Sequence, residues 1–171
     1  RRVLFRSILF IKIMTKILLF RFEAEKIHYL ECEINSWILS LWEKNKISLE
    51  NFDSRWEKYK KIIEIIWDLQ EKYSAEILSY QSPQKYRGVV KDEEWYANGA
   101  ILELYSAQNN IHLEELTPQT VRKQLGTSAK DFKSDIEAEK LKLTSDFKIT
   151  KSDKLIDGFI YVSLLKNFLN K

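Results

Sequence analysis

The chain has 171 residues, of which 44% are hydrophobic and 31% are charged, and its formal net charge is +3. This apolar content excludes an intrinsically disordered chain, and the length suits one domain with its own hydrophobic core. The single cysteine excludes an internal disulfide, and one cysteine with two histidines is too few for a usual zinc cluster. Four glycines leave no GxxxxGK[ST] phosphate loop. We therefore expect a cytoplasmic protein whose mild positive charge permits a phosphate-bearing partner.

The amino-terminal residues are set apart from the rest of the chain. The first seven residues read like the translation of a sequencing-library adapter (RRVLFRS), so we expect residues 1–13 to be a non-native or truncated leader. The apolar run that follows is interrupted by Lys12 and Lys16 and falls short of the roughly 20 residues of a membrane helix. We expect no membrane segment and assign residues 14–171 to one domain.

The first half of the chain predicts a hairpin, a helix and a further strand. Ile17 to Phe22 and Ile27 to Ile34 are rich in β-forming residues and are separated by a short polar turn. We expect residues 35–52 to be a loop packed on the core. Isoleucines at helical spacing predict a helix that begins after Asp53 or Ser54. The segment ILSYQ then predicts a short strand.

The second half of the chain predicts mainly helices. A helix from Glu93 to Gln108 is followed by the strand IHLEEL, a short helix with Pro118 in its first turn, a charged helix and an apolar closing helix from about Lys154 to Asn170. Among the helical side chains, we expect these to lie in the core: Trp56, Ile62, Ile63, Ile66, Trp67, Leu69, Trp95, Ala100, Ile101, Leu104 and Tyr105. The order of strands and helices is typical of an α/β protein with a mixed sheet.

Two aspartates near the start of the closing helix form the first candidate site. Asp153 and Asp157 are four residues apart, so they share one face of a helix that includes both. Paired carboxylates are ligands that Mg²⁺ prefers in proteins. An alternative needs no metal, because Ser152 can cap the helix and acidic residues stabilise its positive amino-terminal end.

From about Ser54 to its end, the sequence resembles the RuvC family of Holliday-junction resolvases, which have an RNase H-like fold. That fold has three antiparallel strands, a helix, a parallel strand, a helix, a final strand and closing helices. The segment LEELTPQTVRKQLGTSAKDFKSDI resembles the family's strand, Pro-x-x-Val-Lys turn and Thr-Gly-rich loop. The matching positions are Pro118, Val121, Arg122, Leu125, Gly126, Ala129 and Lys133, with Lys130 as a rival for the last place. The run IDGFIYVSLL is similar to the family's closing Asp-Ala-hydrophobic run, with Asp157 at the acid.

The resemblance implies an α/β fold with an RNase H-like mixed sheet flanked by helices, its first strand either present or lost by truncation. It also implies a Mg²⁺-dependent endodeoxyribonuclease that resolves branched DNA in recombination and repair as a homodimer. In such enzymes, four acids hold two metal ions that clamp the attacking and leaving oxygens. One acid lies on the first strand, one at the end of the fourth strand and two at the start of the last helix.

Only half of this acidic set has a counterpart in the sequence. Asp157 and Asp153 are implied as metal ligands and catalytic residues, although strict register places Lys154 where we assign Asp153. The fourth-strand position holds Gln81, or Ser79 in a second register, and neither residue is a carboxylate. We assign Gln81 to position a water molecule or a phosphate oxygen. The first-strand Asp of the family is not visible, and Glu23 and Glu25 do not fit its pattern; Glu93 and Glu94 are alternatives for the missing fourth-strand acid.

A basic segment lies between the two candidate regions. Arg122, Lys123, Lys130 and Lys133 flank the Gly-Thr-Ser loop, and we predict that they contact DNA phosphates, with a solvated basic face as the simpler alternative. The missing acids leave a second functional hypothesis, a catalytically inactive RNase H-like domain that binds DNA or a protein. A third hypothesis is an unrelated α/β interaction domain.

Overall fold

The computed structural model describes residues 14–35, 38–82, 85–86, 89–90, 93–126 and 130–169, so the leader expected at residues 1–13 lies outside the described residues. The strands are β1 (Thr15–Phe22), β2 (Lys26–Ile34), β3 (Leu39–Ser48), β4 (Ile77–Gln81), β5 (Lys85–Tyr86), β6 (Val89–Val90) and β7 (His112–Leu116). The helices are α1 (Arg55–Tyr73), α2 (Glu93–Asn109), α3 (Pro118–Leu125), α4 (Phe132–Asp146) and α5 (Ile156–Leu169). Within these ranges, no helix is long and apolar enough to cross a membrane.

A five-stranded mixed sheet with the order β3-β2-β1-β4-β7 forms the centre of the protein. β2 pairs antiparallel with both β1 and β3, whereas β4 runs parallel to β1, and β7 runs parallel to β4. The resemblance left open whether the first strand of the fold is present. β1 occupies the central position that this strand has in the fold, so the strand is present. Residues 39–48, expected to be a loop, form the third strand, whose mixed polar sequence reflects its exposed position at the sheet edge.

The central strand β1 is covered on both faces, which explains its nearly continuous apolar sequence. Leu18 and Phe20 face one layer, where they pack with α1 and α2. Ile17 and Leu19 face the other layer, where they pack with α3, α4 and α5. Because strand side chains alternate, Arg21 at the end of β1 also faces the α5 layer.

Helix α1 begins as the sequence predicts but exposes side chains that we expected to be buried. The Ser54 hydroxyl accepts a hydrogen bond of 3.2 Å from the Glu57 N–H and caps the helix. Trp56 and Trp67 are 75% and 58% exposed, and Ile63 and, on α2, Leu104 are also exposed, so their assignment to the core was wrong. Ala100 on α2 is exposed as well. These helices carry apolar residues over a wider arc than the sheet can cover.

A hydrogen-bonded cluster joins β3 to the end of α1. The Glu43 carboxylate accepts hydrogen bonds from the hydroxyls of Tyr73 and Tyr29 and from the Lys72 ammonium group, the last at 3.0 Å. These interactions lower the pKa of Glu43 from its usual value of 4.5 to about 2, and the hydrogen bond from Tyr73 contributes most. The cluster therefore stabilises the fold through the ionised form of Glu43.

We expect the Glu43→Gln variant to be less stable than the wild type at pH 7, by an amount that depends on pH. The stabilisation from a carboxylate with a lowered pKa is fully present above pH 4.5 and is lost as the pH falls through about 2. Urea denaturation between pH 7 and pH 2 should show the difference in unfolding free energy shrinking over this window. Glu50→Gln, at an exposed glutamate, is the control. A Glu43→Gln deficit that stays constant with pH contradicts the assignment.

Candidate functional site

The carboxyl ends of β1 and β4 lie side by side in the middle of the sheet, facing the start of α5. Phe20 on β1 pairs with Tyr80 on β4, so Arg21 and Gln81 come next on their two strands. We call this region, where the two strand ends meet α5, the strand-end junction. It is the region in which the resemblance implies that the acids of a metal site converge.

Helix α5 approaches this junction unusually closely at Gly158. A Cβ atom built on Gly158 would lie 2.8 Å from Cδ2 of Leu19 and 3.1 Å from Cγ of Gln81. A larger residue would have to displace the fully buried Leu19 side chain. The absence of a side chain at Gly158 thus brings the neighbouring residue, Asp157, close to the end of β4.

Gln81 is buried at the junction without full hydrogen bonding. Its side chain is only 7% exposed, and its Oε1 atom has no hydrogen-bond partner among the described residues. Its backbone carbonyl accepts a 3.0 Å hydrogen bond from the indole N–H of Trp95. The structure therefore places Gln81 beside the start of α5, but it contributes a neutral carboxamide.

Arg21 is a residue of the junction that sequence reasoning missed. Its Nε lies 3.3 Å from Oε1 of Glu23, and its Nη1 donates a long hydrogen bond of 3.4 Å to the backbone carbonyl of Lys154. The guanidinium group lies 4.2 Å from the centroid of the Trp95 ring. Arg21 thus places a cation on the strand where the resemblance implies an acid. The sequence signal was one charged residue within the buried run ILLFRF.

Glu23, just beyond β1, is neutralised by cations of the protein itself. Its carboxylate lies 3.3 Å from Nε2 of His28 and 3.7 Å from Nζ of Lys154, in addition to the contact with Arg21. Burial raises the pKa of Glu23, but the hydrogen bond with His28 and the charges of His28, Arg21 and Lys154 outweigh this effect and lower it. Glu23 is therefore held as an anion without a metal ion.

Asp153 precedes α5 and does not share a helix face with Asp157, because the helix begins only at Ile156. Its Oδ1 accepts a 2.9 Å hydrogen bond from the Leu155 N–H, which resembles a capping interaction. Its Oδ2 forms an ion pair with Lys44 of β3. The expectation of two aspartates on one face was therefore wrong, since local capping holds Asp153 in the preceding turn.

Asp157 lies in the first turn of α5, and its side chain is more than half exposed. Its Oδ1 is 3.5 Å from Nζ of Lys140, which is also 3.5 Å from Glu137 on the same helix, α4. Each of the two aspartates thus has a lysine partner from another element of the fold. This arrangement favours the metal-free alternative for both residues.

The residues at the strand-end junction do not fit a pair of Mg²⁺ ions. Such a pair needs several carboxylates free to bind metal, whereas Gln81 is neutral and Arg21 brings a positive charge toward the same space. The three acids already have partners, and these pairs are Glu23 with Arg21, Asp153 with Lys44, and Asp157 with Lys140. Across the described ranges, no group of three or more His, Cys, Asp or Glu residues could hold a metal ion.

The residues predicted to contact DNA are all exposed. We call them the basic segment, which consists of Arg122, Lys123, Lys130 and Lys133. Arg122 and Lys123 lie in the last turn of α3, and residues 127–129 of the following loop lie outside the described residues. Lys133 and Lys140 are seven residues apart on α4 and share a face, about 10 Å apart along the axis. One face of α4 thus carries both Lys133 of the basic segment and Lys140, the ion-pair partner of Asp157.

No protein-family model matches the sequence, and no curated protein matches it. Solved structures do match. RuvC of Thermus thermophilus in complex with a Holliday junction substrate shares 11% identity, with 88% of this chain and 90% of that chain covered and a TM-score of 0.58. A further T. thermophilus RuvC structure shares 9% identity, with coverages of 89% and 92% and a TM-score of 0.62. The yeast mitochondrial Holliday junction resolvase Ydc2 shares 15% identity, with coverages of 99% and 88% and a TM-score of 0.53.

These likenesses, at low sequence identity, show the fold. The protein has an RNase H-like mixed sheet flanked by helices, which confirms the fold class predicted from the sequence. More particularly, it has the fold of the RuvC-like Holliday-junction resolvases, as the sequence resemblance indicated.

We expect Gly158→Val to destabilise the protein by about 1–3 kcal/mol, because the new side chain overpacks the contact with Leu19 and Gln81. The matched control is Ala100→Val, at an exposed position of α2, where only helix propensity changes and the cost should stay below about 1 kcal/mol. Urea denaturation measures both values. Equal effects of the two substitutions contradict the close approach of α5.

Proposed function

We propose that this protein binds branched DNA through the strand-end junction and the basic segment, without cutting it. The observation that carries the proposal is the Arg21 guanidinium at the end of the central strand. Arg21 is paired with Glu23, so this strand end offers no free carboxylate to Mg²⁺, and the exposed cations of the basic segment supply the attraction for the phosphates of a DNA backbone. The matched structures support the resolvase-like fold of this protein directly.

Three features support DNA as the partner. One matched structure is that of a RuvC in complex with a Holliday junction substrate. The basic segment is exposed, and its four side chains form no ion pair with any described residue, so their charges are available for phosphates. It is connected along α4 to the junction, so both regions can contact one DNA molecule.

Charge pairing at the junction argues against hydrolysis. Two-metal cleavage requires carboxylates that neutralise the metal ions, and here the acids are neutralised by Arg21, Lys44, Lys140 and Lys154. The side-chain amide N–H of Gln81 can still donate a hydrogen bond to a phosphate oxygen, which fits the positioning role predicted for it. We therefore assign Gln81, Asp153 and Asp157 to the architecture of a binding site.

The alternative is the Mg²⁺-dependent endodeoxyribonuclease that the resemblance implies, with Asp157 and Asp153 as metal ligands. One observation favours it, since Asp157 is exposed at the start of α5 next to the end of β4. DNA phosphates would then have to complete the metal coordination. The homodimer implied by the resemblance is compatible with either function.

We expect the wild-type protein to bind a four-way DNA junction equally well in EDTA and in Mg²⁺, within about a factor of two, because no metal ion completes the site. We expect no cleavage in Mg²⁺, and Asp157→Asn should not weaken binding, because it removes an anion and frees the Lys140 charge while keeping the shape of the side chain. Gel-shift and nicking assays on one labelled junction measure both properties. Junction cleavage that Asp157→Asn reduces by about 100-fold or more would instead establish the nuclease alternative.

We expect Lys133→Ala and Arg122→Ala each to weaken junction binding several-fold and to lower the salt dependence of binding by about one ion released. Titrations at several salt concentrations measure both effects. Lys61→Ala is the charge-matched control. Lys61 pairs with Glu64 on α1, and this helix lies on the side of the sheet opposite the basic segment. If all three variants lose affinity equally, the effect is one of net charge and the basic segment is not the DNA contact.

A further inference from the structure

A cavity opens beside the strand-end junction, at the turn that joins β1 to β2. Its volume is about 310 Å³, near the lower end of the roughly 300–1,000 Å³ range of small-molecule sites, which suits one planar ring system. We call it the turn cavity. The described residues that line it are Arg21, Glu23, Ala24, Glu25, Lys26 and Trp95.

Hydrogen bonds from two helices fix the turn that forms one wall of this cavity. The Glu23 N–H donates a 2.8 Å hydrogen bond to the Lys26 carbonyl and closes the turn. The Asn98 side-chain amide donates a 3.2 Å hydrogen bond to the Glu23 carbonyl, and the Lys58 ammonium group donates one to the Ala24 carbonyl. Asn98 and Lys58 are both buried. The wall is therefore preformed, so that binding a ligand costs little ordering of the protein.

The charges of the described residues around the turn cavity cancel. Arg21 and Lys26 are cations, and Glu23 and Glu25 are carboxylates. Arg21 lies 3.3 Å from Glu23, so these two charges are already paired. Such a balanced set attracts neither a metal ion nor a phosphate strongly, because attraction and repulsion offset each other. It still offers hydrogen-bond donors and acceptors, which suit a neutral polar ligand.

The Arg21–Glu23 pair retains unused hydrogen-bonding capacity. The Nε–H group of Arg21 is buried and has no hydrogen-bond partner among the described residues, although it lies close to Glu23. The carboxylate of Glu23 has two oxygens, and each can accept a further hydrogen bond beside its contacts with His28 and Lys154. The pair therefore presents one donor next to two acceptors.

Guanine is the DNA base whose pairing edge complements this arrangement. That edge carries one acceptor, O6, beside two donors, the N1–H and the exocyclic amino group. Cytosine has the reverse, with one donor and two acceptors, adenine has one of each, and thymine has one donor between two acceptors. Of the four bases, only guanine can donate to both oxygens of a carboxylate while it accepts from a neighbouring cation.

A flat surface for a base lies next to the same pair. The guanidinium group of Arg21 lies 4.2 Å from the centroid of the Trp95 ring. The indole is held in place by its 3.0 Å hydrogen bond to the Gln81 carbonyl. Unpaired bases stack on aromatic rings and on guanidinium planes. Arg21 and Trp95 thus combine a stacking surface with a directed donor.

We propose that the turn cavity binds an unpaired guanine base, with Arg21 donating a hydrogen bond to O6 and Glu23 accepting hydrogen bonds from the N1–H and the amino group. The proposal rests on the proposed DNA binding for the source of the base, an unpaired nucleotide at a branch point. Such a base leaves the stack at low cost. Phosphate contacts of the basic segment would supply affinity, and the turn cavity would add a base preference.

Four-way DNA junctions that differ in one unpaired base at the branch point test the proposal on the wild-type protein. Fluorescence anisotropy should show guanine bound about tenfold more tightly than adenine or thymine, and inosine, which lacks the amino group, should lose several-fold of this preference. Added salt should weaken all the complexes alike, because it acts on the phosphate contacts. Equal affinities for all these bases overturn the inference and leave the DNA-binding proposal intact.

Glu23→Gln tests the residue that we assign to the base. It replaces an acceptor oxygen with an N–H₂ donor that faces a donor of guanine, so the preference for guanine should fall to within about a factor of two. Glu25→Gln is the matched control, because it makes the same charge change at an exposed side chain of the same turn. Equal losses in the two variants contradict the role of Glu23. If Glu23→Gln does not fold by circular dichroism, the inosine comparison decides, because it changes only the DNA.

Calorimetry with free guanosine and adenosine monophosphates separates the two possible sources of the base. Preference for guanine in junctions without binding of the free nucleotide supports an unpaired base of DNA as the ligand. If the wild type binds no junction, the proposed function fails. Binding of guanosine over adenosine monophosphate, abolished by Glu23→Gln, would then still support the guanine site. Absence of a guanine preference in both forms overturns it.

Discussion

The close contact between α5 and the sheet at Gly158 is the constraint on which the organisation of this protein depends. It presses the first turn of α5 against Leu19 and Gln81, at the ends of the two central parallel strands. Charged side chains lie on the elements that meet here, with Arg21 at the end of β1 and Asp157 in the first turn of α5. The charges gathered there therefore have to be compensated locally, because they cannot move apart without losing the packing of the helix.

Compensation by the protein's own cations separates this junction from a metal-binding one. Asp153 is paired with Lys44 from the sheet edge, and Asp157 with Lys140 from α4. Surface ion pairs of this kind contribute little to stability individually. Their effect on ligand choice is larger, since acids that are already paired attract Mg²⁺ weakly. Together with the ion-paired Arg21 and the neutral Gln81, they leave few free carboxylates for a divalent cation.

The two layers of helices divide the molecule into surfaces with different chemistry. The layer of α3, α4 and α5 presents the basic segment and the strand-end junction, which suit a polyanion. The opposite layer exposes the apolar side chains of Trp56, Ile63 and Trp67 on α1. Because the sheet separates the two layers, one surface can be changed by substitution with little direct effect on the other.

Sequence reasoning identified the fold and the location of the junction, but not its chemistry. Apolar runs and helical spacing predicted the order of the elements apart from β3, which was expected to be a loop, and strand alignment placed Gln81 at the end of β4. These features depend on near neighbours in the chain, where side-chain periodicity reports backbone geometry directly. The same reasoning predicted buried tryptophans on α1, because periodicity shows that a face is apolar without showing whether anything covers it.

The sequence by itself determined the α/β architecture, the acidic character of the start of α5 and the absence of a glutamate at position 81. Only the tertiary structure decided what neutralises those acids. Lys44 meets Asp153 across 109 residues of chain, and Lys140 of α4 meets Asp157 of α5. Local periodicity carries no information about such distant pairs, because they are set by how the sheet and helices pack together.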